Sequence, residues 1–319
     1  MRVCSALRGT IAILRSTIDD RDNRNPAPHN MAASAQPKHP RFWTAGLLIA
    51  FTLTTLASSL AYLPPRTFLI SIFWPSNGVL TVGFLLAKRR DRWVVAAIAA
   101  VVNFVLEYYV ARYTAPEAFM ATIWNVSEAG FVAIATQRML GKEIDFSRLR
   151  TLLRFAVLCV APVVAMTTTV YEYLWPTAAP APYGPVWLKI FPEEYLGIVM
   201  IAPALYAIAV PTARDAQLFL RPPLERVTLL GLLFAGELIL FACASTPILF
   251  AVFPVLVGIS FRLGPRGAAQ AIIITSLTTF VYALLNIGAL ATLREDNFGA
   301  GLLAQAFVLT VVYSVLPAA

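Results

Sequence analysis

The residues with the most chemical potential are carboxylates and amides set inside apolar runs. Asn103 and Glu107 are four apart, and Asn125 and Glu128 three apart, so each pair shares one face of a helix. Glu194 follows Glu193 near the start of another apolar run, and Glu237 lies inside a further one. An ionisable group at bilayer depth costs about 2.5–3.5 kcal/mol on insertion scales. An interhelical hydrogen bond returns on average well under ~1 kcal/mol. The acids must therefore carry a proton or face water or a cation. A polar cavity holding a small ligand, a proton or a cation is the chemistry this pattern supports, with plain interhelical bonding as the structural alternative. Trp74-Pro75-Ser76-Asn77-Gly78 adds a further feature. Pro75 lacks a backbone donor and clashes with the preceding turn, so a helix here should kink or unwind. Broken helices often line binding cavities in membranes. The candidate ligand-binding set is Trp74, Asn77, Asn103, Glu107, Asn125, Glu128, Glu194 and Glu237.

Other chemistry finds little material. His29 and His39 are the only histidines, and both precede the first apolar run, which argues against haem or copper in the bilayer. Cys4, Cys159 and Cys243 are far apart and form no CxxC, so neither a disulfide framework nor a zinc site is expected. There is no GxSxG nucleophile pattern. No catalytic residue, metal or cofactor is expected, and a membrane-embedded enzyme is the least supported reading.

The elements that must position these groups follow from composition. Of 319 residues, 59% are hydrophobic and 13% charged, against about a quarter charged in soluble domains. Mean hydropathy is +0.72. The expected fold is an all-α, polytopic membrane helical bundle. Spans need about 17–25 residues, and ten candidates occur, at 42–63, 67–87, 93–112, 117–138, 152–172, 189–210, 227–244, 247–262, 267–290 and 298–317. The eighth is short and carries Pro247 and Pro254.

The net charge of +8 is not read as nucleic-acid binding, because the basic residues sit in short loops and make no groove-sized patch. They orient the bundle instead. With the N-terminus inside, Lys88–Arg92, Arg138–Arg154, Arg214–Arg226 and Arg262–Arg266 fall in cytoplasmic segments. Arg66, Arg112, Lys189 and Arg294 are left outside. Both termini are then cytoplasmic. Residues 1–40 read as a disordered cytoplasmic tail in which Met31 offers an alternative start, and 41–319 as the membrane-embedded domain. At about 1.5 Å per residue, Glu107 and Glu194 lie roughly 7 Å inside the external surface and Asn125 and Glu237 roughly 12 Å. Nearly all the acids thus share the external half. Tyr108, Tyr109, Tyr113, Tyr171, Tyr173, Trp175, Trp187 and Phe191 gather at the same helix ends, as an interfacial belt would.

The Trp74–Gly78 break, Asn103, Asn125-x-x-Glu128, Glu194-Tyr195-Leu196-Gly197, Ala202-Pro203 and the Phe261–Ala269 Arg/Gly turn come in one order along the chain. In that order and spacing they resemble the bacterial membrane-associated sensor (MASE, type one) domain family, over about residues 42–317. Position 194 is Glu where the family pattern has Asp. The resemblance implies a multi-pass domain of the bacterial inner membrane that senses a small ligand. It would relay to a cytoplasmic kinase or cyclic-di-GMP enzyme, on another chain or in a missing C-terminal region. No GGDEF, EAL or kinase nucleotide-binding pattern occurs here, so no nucleotide turnover is expected of this chain. The lipid bilayer is the other partner. A secondary transporter coupled to protons or cations is the runner-up, since a broken helix and buried acids suit it too.

The topology is testable. Reporter fusions after Arg90, Arg148, Arg221 and Arg266 are expected to read as cytoplasmic, and fusions near Pro180 and Asp296 as external. An external reading at Arg266 removes the eighth crossing and the ten-span arrangement with it.

Overall fold

The structure is a computed structural model that describes residues 41–61, 74–141, 143–174, 183–210, 223–243, 246–285, 287–288 and 298–319. The chain divides into Met1–Pro40 and Arg41–Ala319. The expected disordered tail and the first part of the second span lie outside the described residues.

Nine helices are described: α1 Arg41–Ala61, α2 Pro75–Leu86, α3 Arg92–Tyr109, α4 Ala115–Leu140, α5 Leu149–Leu174, α6 Tyr183–Ala209, α7 Pro223–Cys243, α8 Val252–Leu285 and α9 Phe298–Ala318. A 3-10 turn, Thr246–Ala251, leads into α8. No strand occurs among the described residues. Arg92–Tyr109, Ala115–Leu140, Leu149–Leu174, Ile190–Ala209 and Leu249–Tyr282 are long and apolar enough to cross a membrane. The burial pattern is that of a protein solvated by lipid. Large apolar side chains such as Trp93 (79% exposed) and Ile239 (68%) face outward. Thr55, Ser59, Asn77, Thr81, Asn103, Glu128 and Thr168 are buried. Water would reject that outer surface, whereas hydrocarbon accepts it. The protein is a helical membrane protein.

The expected break at Pro75 is a helix start. Trp74 is extended (φ −104°, ψ 92°), and Pro75 takes a first-turn position, where its missing N–H costs nothing. All ten residues from Pro75 to Phe84 are buried. A helix buried all round belongs at the centre of a bundle, and α2 packs against α1, α4 and α6.

Its approach to α6 depends on two glycines. A Cβ on Gly197 would collide with the Trp74 carbonyl oxygen. One on Gly78 would strike the Gly197 carbonyl oxygen and lie 2.7 Å from the Ile201 Cβ. The backbones therefore touch, and the Trp74 N–H donates to the Glu193 carbonyl at 3.0 Å.

Two other irregularities have local causes. Pro162 cannot donate to the preceding turn of α5 and crowds its carbonyl. Just before it, Phe155–Val160 widens into a π-helical stretch in which the Ala161 N–H reaches back to the Ala156 carbonyl. Between α3 and α4, Arg112 adopts φ 65°, an uncommon conformation for a residue with a Cβ. The chain then reverses tightly enough for the Tyr113 N–H to reach the Glu107 carbonyl at 3.1 Å. Glu117 accepts from the Thr114 N–H at 2.7 Å and caps the start of α4.

The eighth and ninth candidate spans share α8, which folds back on itself at Gly264 (φ 69°) and Pro265. Phe253 lies 5.7 Å from Phe307, Phe307 6.3 Å from Phe241, and Phe241 5.5 Å from Tyr282, between ring centroids. A continuous helix would hold Phe253 and Tyr282 about 44 Å apart at 1.5 Å per residue. At the other end, Arg262 pairs with Glu225 of α7 at 2.7 Å. The two arms are therefore antiparallel, with the Arg/Gly turn between them.

Gly197→Ala is expected to push α2 away from α6 and lower stability by about 1–3 kcal/mol. A Cβ at Gly231 meets nothing within 4 Å, so Gly231→Ala should be neutral or stabilise by up to ~1 kcal/mol. Thermal unfolding of the two variants in detergent checks the contrast, and equal melting temperatures would refute the backbone contact.

Candidate functional site

Asn77 lies one residue before Gly78 on the glycine-mediated seam, so its amide is delivered against α4 and α6 together. Its Nδ2 shares two hydrogens among three acceptors, Glu194 Oε2 at 2.9 Å, Glu128 Oε1 at 3.0 Å and Asn125 Oδ1 at 3.3 Å. Asn125 Nδ2 in turn donates to Asn103 Oδ1 at 3.2 Å, and Asn103 Nδ2 to Thr122 Oγ1 at 3.2 Å. Each amide oxygen along this relay accepts from the next amide, except Asn77 Oδ1. That atom is buried with no partner among the described residues. Glu128 Oε2 accepts from Trp124 Nε1 at 3.2 Å and, by a short bond, from Thr167 Oγ1 of α5.

Glu128 and Glu194 are both buried. Bonding to one nitrogen, their oxygens are no more than about 6 Å apart, a range in which like charges oppose each other strongly. Among the described residues no lysine or arginine bonds either carboxylate. Two bare negative charges here would pay both desolvation and mutual repulsion. The arrangement can share a proton or respond to a cation.

Beside this network is a cavity of about 210 Å³. Trp74, Tyr113, Trp124 and Tyr171 give it aromatic walls, and Glu107, Asn125, Glu193 and Glu194 are its polar lining. It sits where α3 ends, α4 begins and α5 ends. Trp124 and Tyr171 stack with ring centroids 4.0 Å apart. Glu107 is only 3% exposed, and its carboxylate has no hydrogen bond or ion pair among the described residues.

The structure therefore brings together Trp74, Asn77, Asn103, Glu107, Asn125, Glu128 and Glu194. Trp74, Glu107, Asn125 and Glu194 line the cavity. Asn77, Asn103 and Glu128 stand behind its wall in the hydrogen-bond network. Glu237 is not among them. Its Oε1 accepts from Thr275 Oγ1 of α8 at 2.5 Å, and its Oε2 has no partner among the described residues.

Sequence reasoning did not select Trp124, Thr122 or Thr167. Trp124 had a signal, being four residues before Glu128 on one helical face. Thr167 had only a weak one, three successive threonines in an apolar run. The aromatic belt divides in two. Tyr109 and Tyr173 (82% exposed) face outward, whereas Tyr113 and Tyr171 turn into the cavity. No cluster of three or more His, Cys, Asp or Glu able to hold a metal ion occurs among the described residues.

Fold and site together define a lipid-solvated helical bundle with a polar, acid-bearing interior. Residues 43–318, nearly the whole chain, match MASE1, and the protein belongs to this family of membrane-associated sensor domains. No curated protein and no solved structure matches the chain.

Asn77→Ala deletes the shared donor and leaves two buried carboxylates less satisfied, a loss of about 1–3 kcal/mol. Asn77→Asp adds a third acid and should destabilise further. Melting temperatures in detergent should fall in the order wild type, Ala, Asp; an Asp variant as stable as wild type would contradict the charge argument.

Proposed function

We propose that this chain is a non-catalytic sensory domain of the bacterial inner membrane. In this reading it crosses the bilayer ten times with both termini cytoplasmic. A small ligand enters the cavity from the external side, and the response passes to a cytoplasmic kinase or cyclic-di-GMP enzyme on this or another chain. One observation carries the reading: Glu194 and Asn125 belong both to the cavity wall and to the hydrogen-bond network around Asn77. A ligand that engages Glu194 competes with the Asn77 amide. It thereby acts on the α2–α6 seam, and α9 packs against α6. The ligand shifts the bundle between two packings only by its differential affinity for them. The lining offers acids, an amide and aromatic rings, groups that suit recognition of a small ligand.

The paired carboxylates also suit a proton- or cation-coupled transporter, and access from the two sides separates the readings. In a background lacking Cys4, Cys159 and Cys243, cysteines at Glu107, Asn125 and Tyr171 should react with an impermeant thiol reagent added outside. Cysteines at Leu85 and Ala207 should not. Labelling of the cavity positions from the cytoplasmic side as well would favour transport. Glu128→Gln, which removes a charge at nearly constant volume, should abolish signalling while membrane insertion persists. Unreactive cavity cysteines, or wild-type output from Glu128→Gln, would reduce the acids to packing groups.

A further inference from the structure

The cavity has a composition that selects among ligands. Its described lining has three carboxylates, one amide and four aromatic side chains, and no lysine or arginine. An anionic ligand would meet three acids and no basic side chain, so its charge would be opposed and never paired by this lining. A neutral apolar ligand would leave Glu107 buried without a partner, at the full cost of an unsatisfied acid. Glu107 is 3% exposed and lines the cavity without a hydrogen bond from any described residue. Glu194 accepts from the Asn77 amide, with the Glu128 carboxylate beside it and no lysine or arginine bonded to it among the described residues. These two carboxylates ask for positive charge.

The shape of the site then decides which cation. No group of three or more His, Cys, Asp or Glu is gathered closely enough to hold a metal ion among the described residues, whereas hard divalent cations are usually held by several clustered carboxylates. The space, about 210 Å³, is far more than one water or one bare ion needs and suits a small organic molecule. Aromatic walls around a carboxylate are the arrangement that recognises an alkylammonium group, through ring-face attraction together with an ion pair.

We infer that the cavity formed by Trp74, Glu107, Tyr113, Trp124, Tyr171 and Glu194 is a binding site for a small organic ammonium cation, the Glu107 carboxylate pairing its charge and the aromatic rings enclosing its alkyl groups. The inference rests on the sensory reading of the same cavity and names its ligand class. The ammonium group can belong to a free solute or to a lipid headgroup.

The test uses the full chain in phosphatidylglycerol nanodiscs, with choline as probe and tryptophan fluorescence and calorimetry as readouts. Choline should bind. Its neutral isostere, with carbon in place of nitrogen, should bind at least about tenfold more weakly, the loss of one ion pair. Glu107→Gln should weaken choline by a similar factor. Tyr171→Leu should weaken it about three- to thirtyfold, whereas Tyr171→Phe, which keeps the ring face, should stay within about twofold of wild type. Glu237→Gln, outside the cavity, should change nothing.

Adding phosphatidylcholine to the nanodisc distinguishes the sources. Weaker choline binding there assigns the site to a lipid headgroup, and unchanged binding to a free solute. No choline binding, equal binding of the isostere, or full competition by sodium or magnesium overturns the ammonium site. If that happens while the cavity cysteines label from outside and Glu128→Gln silences output, the sensor reading stands and only the ligand class falls. If choline binds as described while Glu128→Gln signals as wild type, the site stands and its sensory role falls.

Discussion

The close approach of α2 to α6 is the constraint on which the interior depends. Two glycines bring the backbones into contact, and the Trp74 N–H ties the start of α2 to the Glu193 carbonyl. Without that approach, the Asn77 amide would not reach Glu194 and Glu128 together. Van der Waals packing between small residues is the usual source of helix association in lipid, because lipid tails are as apolar as the side chains and supply no hydrophobic drive. A seam made of glycine is therefore both an attractive surface and a positional device. It fixes α2, a short helix whose residues from Pro75 to Phe84 are all buried, and longer helices pack about it.

The polar interior follows from the same solvent. A chain whose outer surface must be apolar can place amides and acids only where other helices satisfy them. The relay from Thr122 through Asn103 and Asn125 to Asn77 links amides on three helices in one direction. It ends at two carboxylates competing for one amide group. That end is where added positive charge has the most effect, and it borders the cavity through Glu194. Ligand site and helix seam thus share atoms, which is how a small binding event acts on the packing of large elements.

The irregular backbone lies around this centre. Pro75 starts α2 beside the cavity, the positive φ of Arg112 turns Tyr113 back over Glu107, and the π-helical stretch precedes the part of α5 that carries Thr167 and Tyr171. Each has a local cause in a proline or a tight reversal. Each also alters which side chains face inward, so departures from regular helix help to build the site.

The all-α membrane class, the break at Pro75 and most of the candidate polar residues were legible in the sequence. Hydropathy and helical spacing depend on residues near one another in the chain, so Asn103 with Glu107 and Asn125 with Glu128 could be placed on faces at similar depth. Depth alone does not tell which faces meet. Glu237 lies at a depth like that of Asn125, yet it bonds Thr275 on α8, because α7 packs on α8 and its turn. Thr167 bonds Glu128 across thirty-nine positions of chain, and no local pattern encodes that pairing. Nor could spacing separate Tyr171, in the cavity wall, from Tyr173, facing outward two residues later. The order of residues along each helix determined which groups share a face; only the glycine contact between α2 and α6 and the packing of α5 decided which faces confront one another, because those depend on how closely backbones distant in sequence approach.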